Sequence, residues 1–322
     1  MIRARIAGMG SYLPKNVLTN VELSKTVDTS DEWITQRTGI RQRHLMGENE
    51  TVSDMAVVAA QRALANAGLN TDDVDGIVCA TSTPDNIFPS TAVRIQGKLG
   101  IKKAFSYDVQ AACAGFGNAL NAADNHIRLG QAKTILVVGA DALTRLLNWE
   151  DRITCVLFGD GAGVFVLQAS EGRGDISDHG ILDLHIGSNG DLYDALYVHD
   201  KSFLEAPETI YMNGREIYKH AVSTMCEEAA KLLKRNEITK DDVDWLIPHQ
   251  ANSRIITAVA ERLGLPMEKV VLTVANHANT SAASVPLAFD TARQQGKLRD
   301  GDLIVMETFG GGLTWGSSLI RL

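Results

Sequence analysis

The feature of this chain that most limits what it can fold into is an internal repeat. Leu64–Asp75 reads LANAGLNTDDVD and Leu233–Asp244 reads LKRNEITKDDVD. Each runs from a helix end through a Thr-containing turn into an apolar strand, Gly76–Ala80 in one copy and Trp245–His249 in the other, and Asp73 and Asp242 stand 169 residues apart. Farther on, Lys98-Leu-Gly-Ile matches Arg262-Leu-Gly-Leu at an offset of 164. Each copy then passes through a strand, Ala104–Val109 or Val270–Val274, and a small-residue turn into a helix. Aligning those helix starts sets Cys113 over Asn279, an offset of 166. Thr134–Gly139 finally parallels Leu303–Glu307. Similar offsets in one order point to a duplication, with halves at 1–170 and 171–322.

The strands are short continuous apolar runs, the pattern of sheets covered on both faces by helices. The expectation is a layered α/β body with helices between two sheets and a site at the junction of the halves. Ser53 is read as the N-cap of a helix over Asp54–Ala67 that Gly68 ends, and Met212–Arg235 as a long helix. At 45% hydrophobic and 22% charged residues the chain has ample apolar mass for a core, which excludes disorder over most of its length. The 322 residues suit about two domains of roughly 150, packed as one unit.

Three residues are candidates for chemistry. Cys113 follows a strand and opens an apolar helix among Ala and Gly, where a helix N-terminus would lower the thiol pKa; a buried cysteine is also an ordinary small hydrophobe. Cys79, Cys155 and Cys226 sit in or beside apolar runs and read as core. His249 stands where a buried strand ends, the usual place for catalytic groups in α/β sheets, though a lone histidine there is more often structural. Asn279 opens a helix, where asparagine is also a common cap. The glycines of Phe309-Gly-Gly-Gly allow backbone N–H groups to face an oxyanion. Phe158-Gly-Asp-Gly-Ala-Gly lacks GxxxxGK[ST] and precedes a strand at Val164–Gln168, so triphosphate binding is rejected.

At these residues the chain resembles β-ketoacyl-[acyl-carrier-protein] synthase III, the condensing enzyme that starts type II fatty acid synthesis. The likeness runs from Gly8-Met-Gly-Ser-Tyr-Leu-Pro to Thr314-Trp-Gly-Ser through Asp28-Thr-Ser-Asp-Glu-Trp-Ile, Arg37-Thr-Gly-Ile-Arg, Ala111-Ala-Cys-Ala-Gly-Phe, Pro248-His-Gln-Ala-Asn and Asn279-Thr-Ser-Ala-Ala-Ser. It implies a thiolase-like αβαβα fold and a catalytic triad of Cys113, His249 and Asn279. It also implies an oxyanion hole from the backbone N–H groups of Cys113 and Gly311. Thr29, Trp33, Arg37 and Arg152 would hold the nucleotide end of acyl-CoA, with Gly214, Tyr218 and Asn252 along the pantetheine arm. Phe158 and Phe88, the latter across a homodimer interface, would bound the acyl pocket. Ile153 stands where the family commonly has Gly, and Ala278 where a Gly precedes the catalytic Asn.

The implied reaction condenses a short acyl-CoA, acetyl-CoA first, with malonyl-acyl carrier protein, with no cofactor and no metal, in the cytoplasm. A paralogue making a specialised β-keto product is the alternative. A thiolase would need a second cysteine near the C-terminus, where the chain has glycines, and a non-catalytic partner subunit would usually lack Cys113. A net charge of −8 disfavours nucleic acid, and no apolar run reaches the roughly 18 residues of a membrane span. Carrier protein is acidic, so a local basic face is expected around Gln250, Ala251, Asn252, Ser253 and Arg254, with Lys219, Arg215 and Arg262.

Overall fold

The computed structural model describes residues 1–199 and 208–322. The first half builds β1 (Ile2–Tyr12), β2 (Asn16–Thr19), β3 (Gln42–Leu45), β4 (Gly76–Ala80), β5 (Phe105–Val109), β6 (Thr134–Ala142) and β7 (Asp160–Glu171). Its helices are α1 (Asn20–Leu23), α2 (Asp31–Thr38), α3 (Val52–Ala67), α4 (Thr91–Leu99) and α5 (Gly115–Arg128). The second half adds β8 (Gly180–Ser188), β9 (Leu196–Val198), β10 (Ile210–Met212), β11 (Trp245–Pro248), β12 (Leu303–Gly310) and β13 (Thr314–Arg321). With them come α6 (Gly214–Arg235), α7 (Ser253–Leu263), α8 (Val274–His277) and α9 (Ser284–Gln294).

Two sheets form, in the orders β1-β7-β6-β4-β5 and β11-β12-β13-β8. In the first, β4 runs parallel to β5 and β6; in the second, β11 runs parallel to β12. Helices α3 and α4 cover the outer face of the first sheet, α5 and α9 lie between the sheets, and α6 and α7 cover the outer face of the second. Three buried apolar clusters fill the three gaps. In the middle layer Phe116, Phe165 and Phe289 meet edge to face at centroid distances of 5.0 Å. This is the layered αβαβα fold that the sequence implied.

Several element boundaries differ from those read off the sequence. The cap of α3 is Thr51, which accepts from the Asp54 N–H in a capping box, while Ser53 lies buried in the first turn with its hydroxyl taken by Lys98 Nζ at 2.7 Å. Met212 belongs to β10, and α6 starts at Gly214 behind the Asn213 cap. Strand β7 begins at Asp160, so four of the six residues of the Phe158 motif are themselves strand. Val270–Val274 makes only a bridge from Val270 to Leu246. Beyond it the buried Gln250 amide accepts from the N–H groups of Thr273 and Val274 at 2.8 and 3.2 Å, replacing a strand partner with a side chain.

The two halves superimpose in sequence at one offset through most of their frame. It is 169 for β4 and β11 (Gly76, Trp245), for β6 and β12 (Thr134, Leu303), and for α5 and α9 (Gly115, Ser284). The 3₁₀ turns ahead of those helices, Ala112–Ala114 and Ser281–Ala283, keep it too. Cys113 therefore lies over Ala282, not over Asn279. The offset of 166 recurs only at the helix ends, Arg128 and Gln294, because α9 is shorter.

Candidate active site

Cys113 sits in the middle of the turn between β5 and α5, 6% exposed. Ala112 before it has φ 45, and its counterpart Ser281 has φ 53, both left-handed without being glycine. Such backbone costs of order 1–3 kcal/mol and persists where surrounding packing dictates it. Burial pushes the Cys113 thiol up to about 12; the Ser281 hydroxyl opposes this and the Asp141 carboxylate adds to it. The depressed thiol expected from a helix N-terminus is thus absent. The cysteine precedes the helix proper, which begins at Gly115, and desolvation of the thiolate is the largest influence on it.

His249 follows β11 directly and is 3% exposed. Its backbone N–H donates to Glu307 O at 2.7 Å, and its Nδ1 lies 2.6 Å from Ser284 Oγ. Burial lowers its pKa to about 3, so the ring is neutral at physiological pH. Asn279 is pinned to the strand-like segment opposite: its N–H donates to Leu157 O at 2.9 Å and its carbonyl accepts from Gly159 N at 3.0 Å. Its Oδ1 accepts from the Ser281 N–H at 2.9 Å. This is a bond to the residue two places on and not a helix cap, since neither the 3₁₀ turn nor α9 has a side-chain cap bond; it commits the oxygen and leaves the Nδ2 group free to donate. Ala278 before it has φ 58 and ψ −163 while fully buried, a backbone conformation that glycine adopts most readily.

Cys113, His249 and Asn279 line one cavity of about 150 Å³. Phe158, Gly214, Tyr218, Ala251 and Asn252 share its wall, as do Leu196, Met212 and Gly310, which the sequence had not singled out. Gly310 abuts the nucleophile: a Cβ there would stand 2.6 Å from Cys113 N. The Gly-Gly-Gly run flagged the loop but could not say which glycine touches Cys113; Gly311 packs against Leu196 O instead, 2.8 Å from where its Cβ would be.

The nucleotide-binding residues named from the resemblance gather at the rim. Arg37 and Arg152 place their guanidinium carbons 4.7 and 5.5 Å from the Trp33 ring centroid. Arg152 also donates to Asp28 O at 3.1 Å. Thr29 is half-buried with an unpartnered hydroxyl. Asn252 joins rim to cavity, since it lines the cavity while its Nδ2 donates to Arg37 O at 3.3 Å. Ile153 is exposed beside Arg152.

Phe88 is 84% exposed beside Ile87 and lines no part of this chain's own cavity. Gln250 is corrected: it is fully buried, and its amide is spent on Pro248 O, Val271 O and the Thr273 and Val274 N–H groups, so it touches no partner. Ala251 and Asn252 face the cavity, and Ser253 packs against Gly39. Arg215, Lys219, Arg254 and Arg262 are exposed on the packed pair α6 and α7. Among the described residues no cluster of three or more His, Cys, Asp or Glu could hold a metal, and no helix is long and apolar enough to cross a membrane.

The family model described as 3-Oxoacyl-[acyl-carrier-protein (ACP)] synthase III matches residues 107–190, and that of its C terminal matches 233–322. The chain is 50% identical over 323 residues to Beta-ketoacyl-[acyl-carrier-protein] synthase III of Paramagnetospirillum magneticum, covering 100% of both chains. It is 52% identical to the protein of the same name from Granulibacter bethesdensis, again over 100% of both. The crystal structure of 3-oxoacyl-[acyl-carrier-protein] synthase III from Aquifex aeolicus superimposes with a TM-score of 0.93 at 47% identity, covering 99% of this chain and 100% of that one.

Proposed function

The chain belongs to the β-ketoacyl-[acyl-carrier-protein] synthase III family, and from that premise we propose how its own residues run the reaction. The enzyme is an acyltransferase that initiates fatty acid synthesis. It condenses a short acyl-CoA, acetyl-CoA in the family's standard reaction, with malonyl-acyl carrier protein, and releases CoA and carbon dioxide. The observation that carries the residue-level reading is the convergence of Cys113, His249 and Asn279 on one narrow cavity.

In the first half-reaction Cys113 Sγ bonds to the acyl carbon, the carbon–sulfur bond to CoA breaks, and the thiol proton leaves with CoA as its free thiol. Because burial keeps the resting thiol protonated, proton loss accompanies attack. The N–H groups of Cys113 and Gly311 receive the oxyanion. In the second, the malonyl thioester carbonyl sits between His249 and Asn279. Carbon dioxide departs, and the enolate is held by two neutral donors, the His249 ring N–H and the Asn279 Nδ2 group. The carbanion attacks the acyl carbon and expels Cys113 as thiolate, which takes one proton from solvent. The reaction needs no cofactor.

The remaining assignments rest on the same reading. Thr29, Trp33, Arg37 and Arg152 clamp the nucleotide, and Gly214, Tyr218 and Asn252 flank the pantetheine. Arg215, Lys219, Arg254 and Arg262 receive the acidic carrier protein. A second copy pairs along β5, whose outer edge has no strand partner among the described residues, and brings its Phe88 to this cavity. Residues 1–170 and 171–322 act as two halves of one unit, in the cytoplasm. Incubation with acetyl-CoA followed by peptide mass spectrometry tests the reading: one acetyl group is expected on Cys113, and label on Cys79, Cys155 or Cys226 overturns it.

A further inference from the structure

We propose that Ser284 is a positioning residue that holds His249 as its Nε2–H tautomer, so that this nitrogen donates into the cavity. The proposal rests on the reading of His249 as a donor to the malonyl carbonyl. Ser284 opens α9 and is 2% exposed. Its Oγ lies 2.6 Å from His249 Nδ1 and 3.4 Å from the Gln250 backbone N. The Gln250 amide can only donate, so it takes a lone pair of the hydroxyl. An Nδ1–H could fill the second lone pair, but the hydroxyl proton of Ser284, 2% exposed, would then be left without an acceptor; donation to Nδ1 satisfies every group and is the arrangement we assign. A neutral ring whose Nδ1 accepts carries its proton on Nε2.

Two observations set aside the ordinary reasons for a serine here. The hydroxyl does not serve its own helix, since α9 has no side-chain cap bond at its start. The duplicated half also builds the same contact without polar atoms. At the offset of 169, His249 and Ser284 correspond to Ala80 and Gly115, and a Cβ on Gly115 would meet Ala80 Cβ at 3.0 Å. The scaffold thus joins strand end to helix start with two small residues in one half. The hydroxyl stands only in the half that has an imidazole to orient.

The test reads the proton and the two half-reactions separately in the full-length enzyme. In ¹⁵N-histidine-labelled protein, with the His249 signals identified by their loss in His249→Asn, Nε2 is expected to be the protonated nitrogen and Nδ1 the bare one. Ser284→Ala is expected to let a population with protonated Nδ1 appear. It should lower carbon dioxide release from malonyl-acyl carrier protein about 10- to 100-fold, the size usual for loss of an orienting partner, and leave acetylation of Cys113 within about twofold. Ser284→Thr, which keeps the hydroxyl, should restore both signature and rate. A protonated Nδ1 in the parent enzyme overturns the proposal even if Ser284→Ala does not fold, as does parental decarboxylation in Ser284→Ala or a slowed variant whose tautomer is unchanged. Parental decarboxylation by His249→Ala instead overturns the role of His249 itself.

Discussion

The turn that carries Cys113 and the turn that carries Ala282 are the same piece of structure twice. Each is a 3₁₀ turn entered through a left-handed residue, Ala112 at φ 45 or Ser281 at φ 53, and each opens a central helix. They differ in what the opposite half aims at them. The Ala282 N–H donates to Asp141 Oδ2 at 3.1 Å. The counterpart of Asp141 at the offset of 169 is Gly310, which lies against Cys113 N with no side chain to occupy it. One turn is therefore capped by a carboxylate whose other oxygen accepts from Thr81, Ser82 and Thr83. The other turn has no carboxylate at that place. A duplicated scaffold becomes a structural joint or a catalytic one through single side chains at equivalent places.

The comparison breaks most sharply at Gly310. Gly310→Asp brings the side chain of the capped half to the Cys113 turn and should abolish acetylation of Cys113, a loss beyond the 10²–10³ of one oxyanion donor, because its Cβ would stand 2.6 Å from Cys113 N and displace that backbone while its carboxylate would occupy the amide and repel the oxyanion. Intact-mass kinetics with acetyl-CoA measure it, and acetylation at the parental rate would mean that this amide plays no part.

Asn279 separates the half-reactions. Asn279→Ala should still accept an acetyl group on Cys113, while carbon dioxide release from labelled malonyl-acyl carrier protein falls about 10²–10³-fold. Release at the parental rate would reduce Asn279 to a partner of the Ser281 N–H.

Asp141 tests the capped turn. Asp141→Asn turns an amide N–H₂ or a weaker acceptor toward the Ala282 N–H and leaves a buried donor unmet. Unfolding in urea should show a loss of about 1–3 kcal/mol; an unchanged midpoint would mean that the turn holds without its carboxylate.

The thiol has its own pH signature. With the Cys113 pKa raised to about 12, alkylation by iodoacetamide should climb about tenfold per pH unit from 7 to 10 without a plateau. A plateau near pH 7 would reveal a stabilised thiolate. The linked stability has a definite sign. A raised folded pKa favours the protonated thiol, so this contribution is complete below the unfolded value of about 8.5 and drains away as pH rises toward 12.

The smallest effect is expected at Ala278, where Ala278→Gly relieves the φ of 58. A gain of up to about 1 kcal/mol should appear as a raised midpoint, strain relief being partly offset by the freer unfolded glycine. A lowered midpoint would show that the Ala278 methyl packs to more effect than the backbone is strained.

Much of this was legible in the chain because it is local. Gly76–Ala80 reads as a buried strand from its composition, and Gly68 ends α3 in the left-handed conformation that glycine adopts freely. Likewise, the repeat of Asp-Val-Asp before a strand is enough to announce two halves, and the ordered motifs around Cys113, His249 and Asn279 single out three residues that the fold brings to one cavity. What stayed hidden depends on atoms far apart in sequence. Whether Cys113 is acidified depends on how much water the other half removes from it, which is why a helix-start expectation of a lowered pKa met a thiol pushed up instead. Gln250 reads as a surface neighbour of Arg254, yet tertiary structure spends its amide on the 271–274 segment. The choice of Gly310 among three glycines, and of Ala282 rather than Asn279 as the twin of Cys113, follows from where backbones meet across the two sheets. Periodicity and motif specify the elements and the reacting residues; burial, proton positions and the close approach of the two halves are collective properties of packing and exist only once the chain has closed on itself.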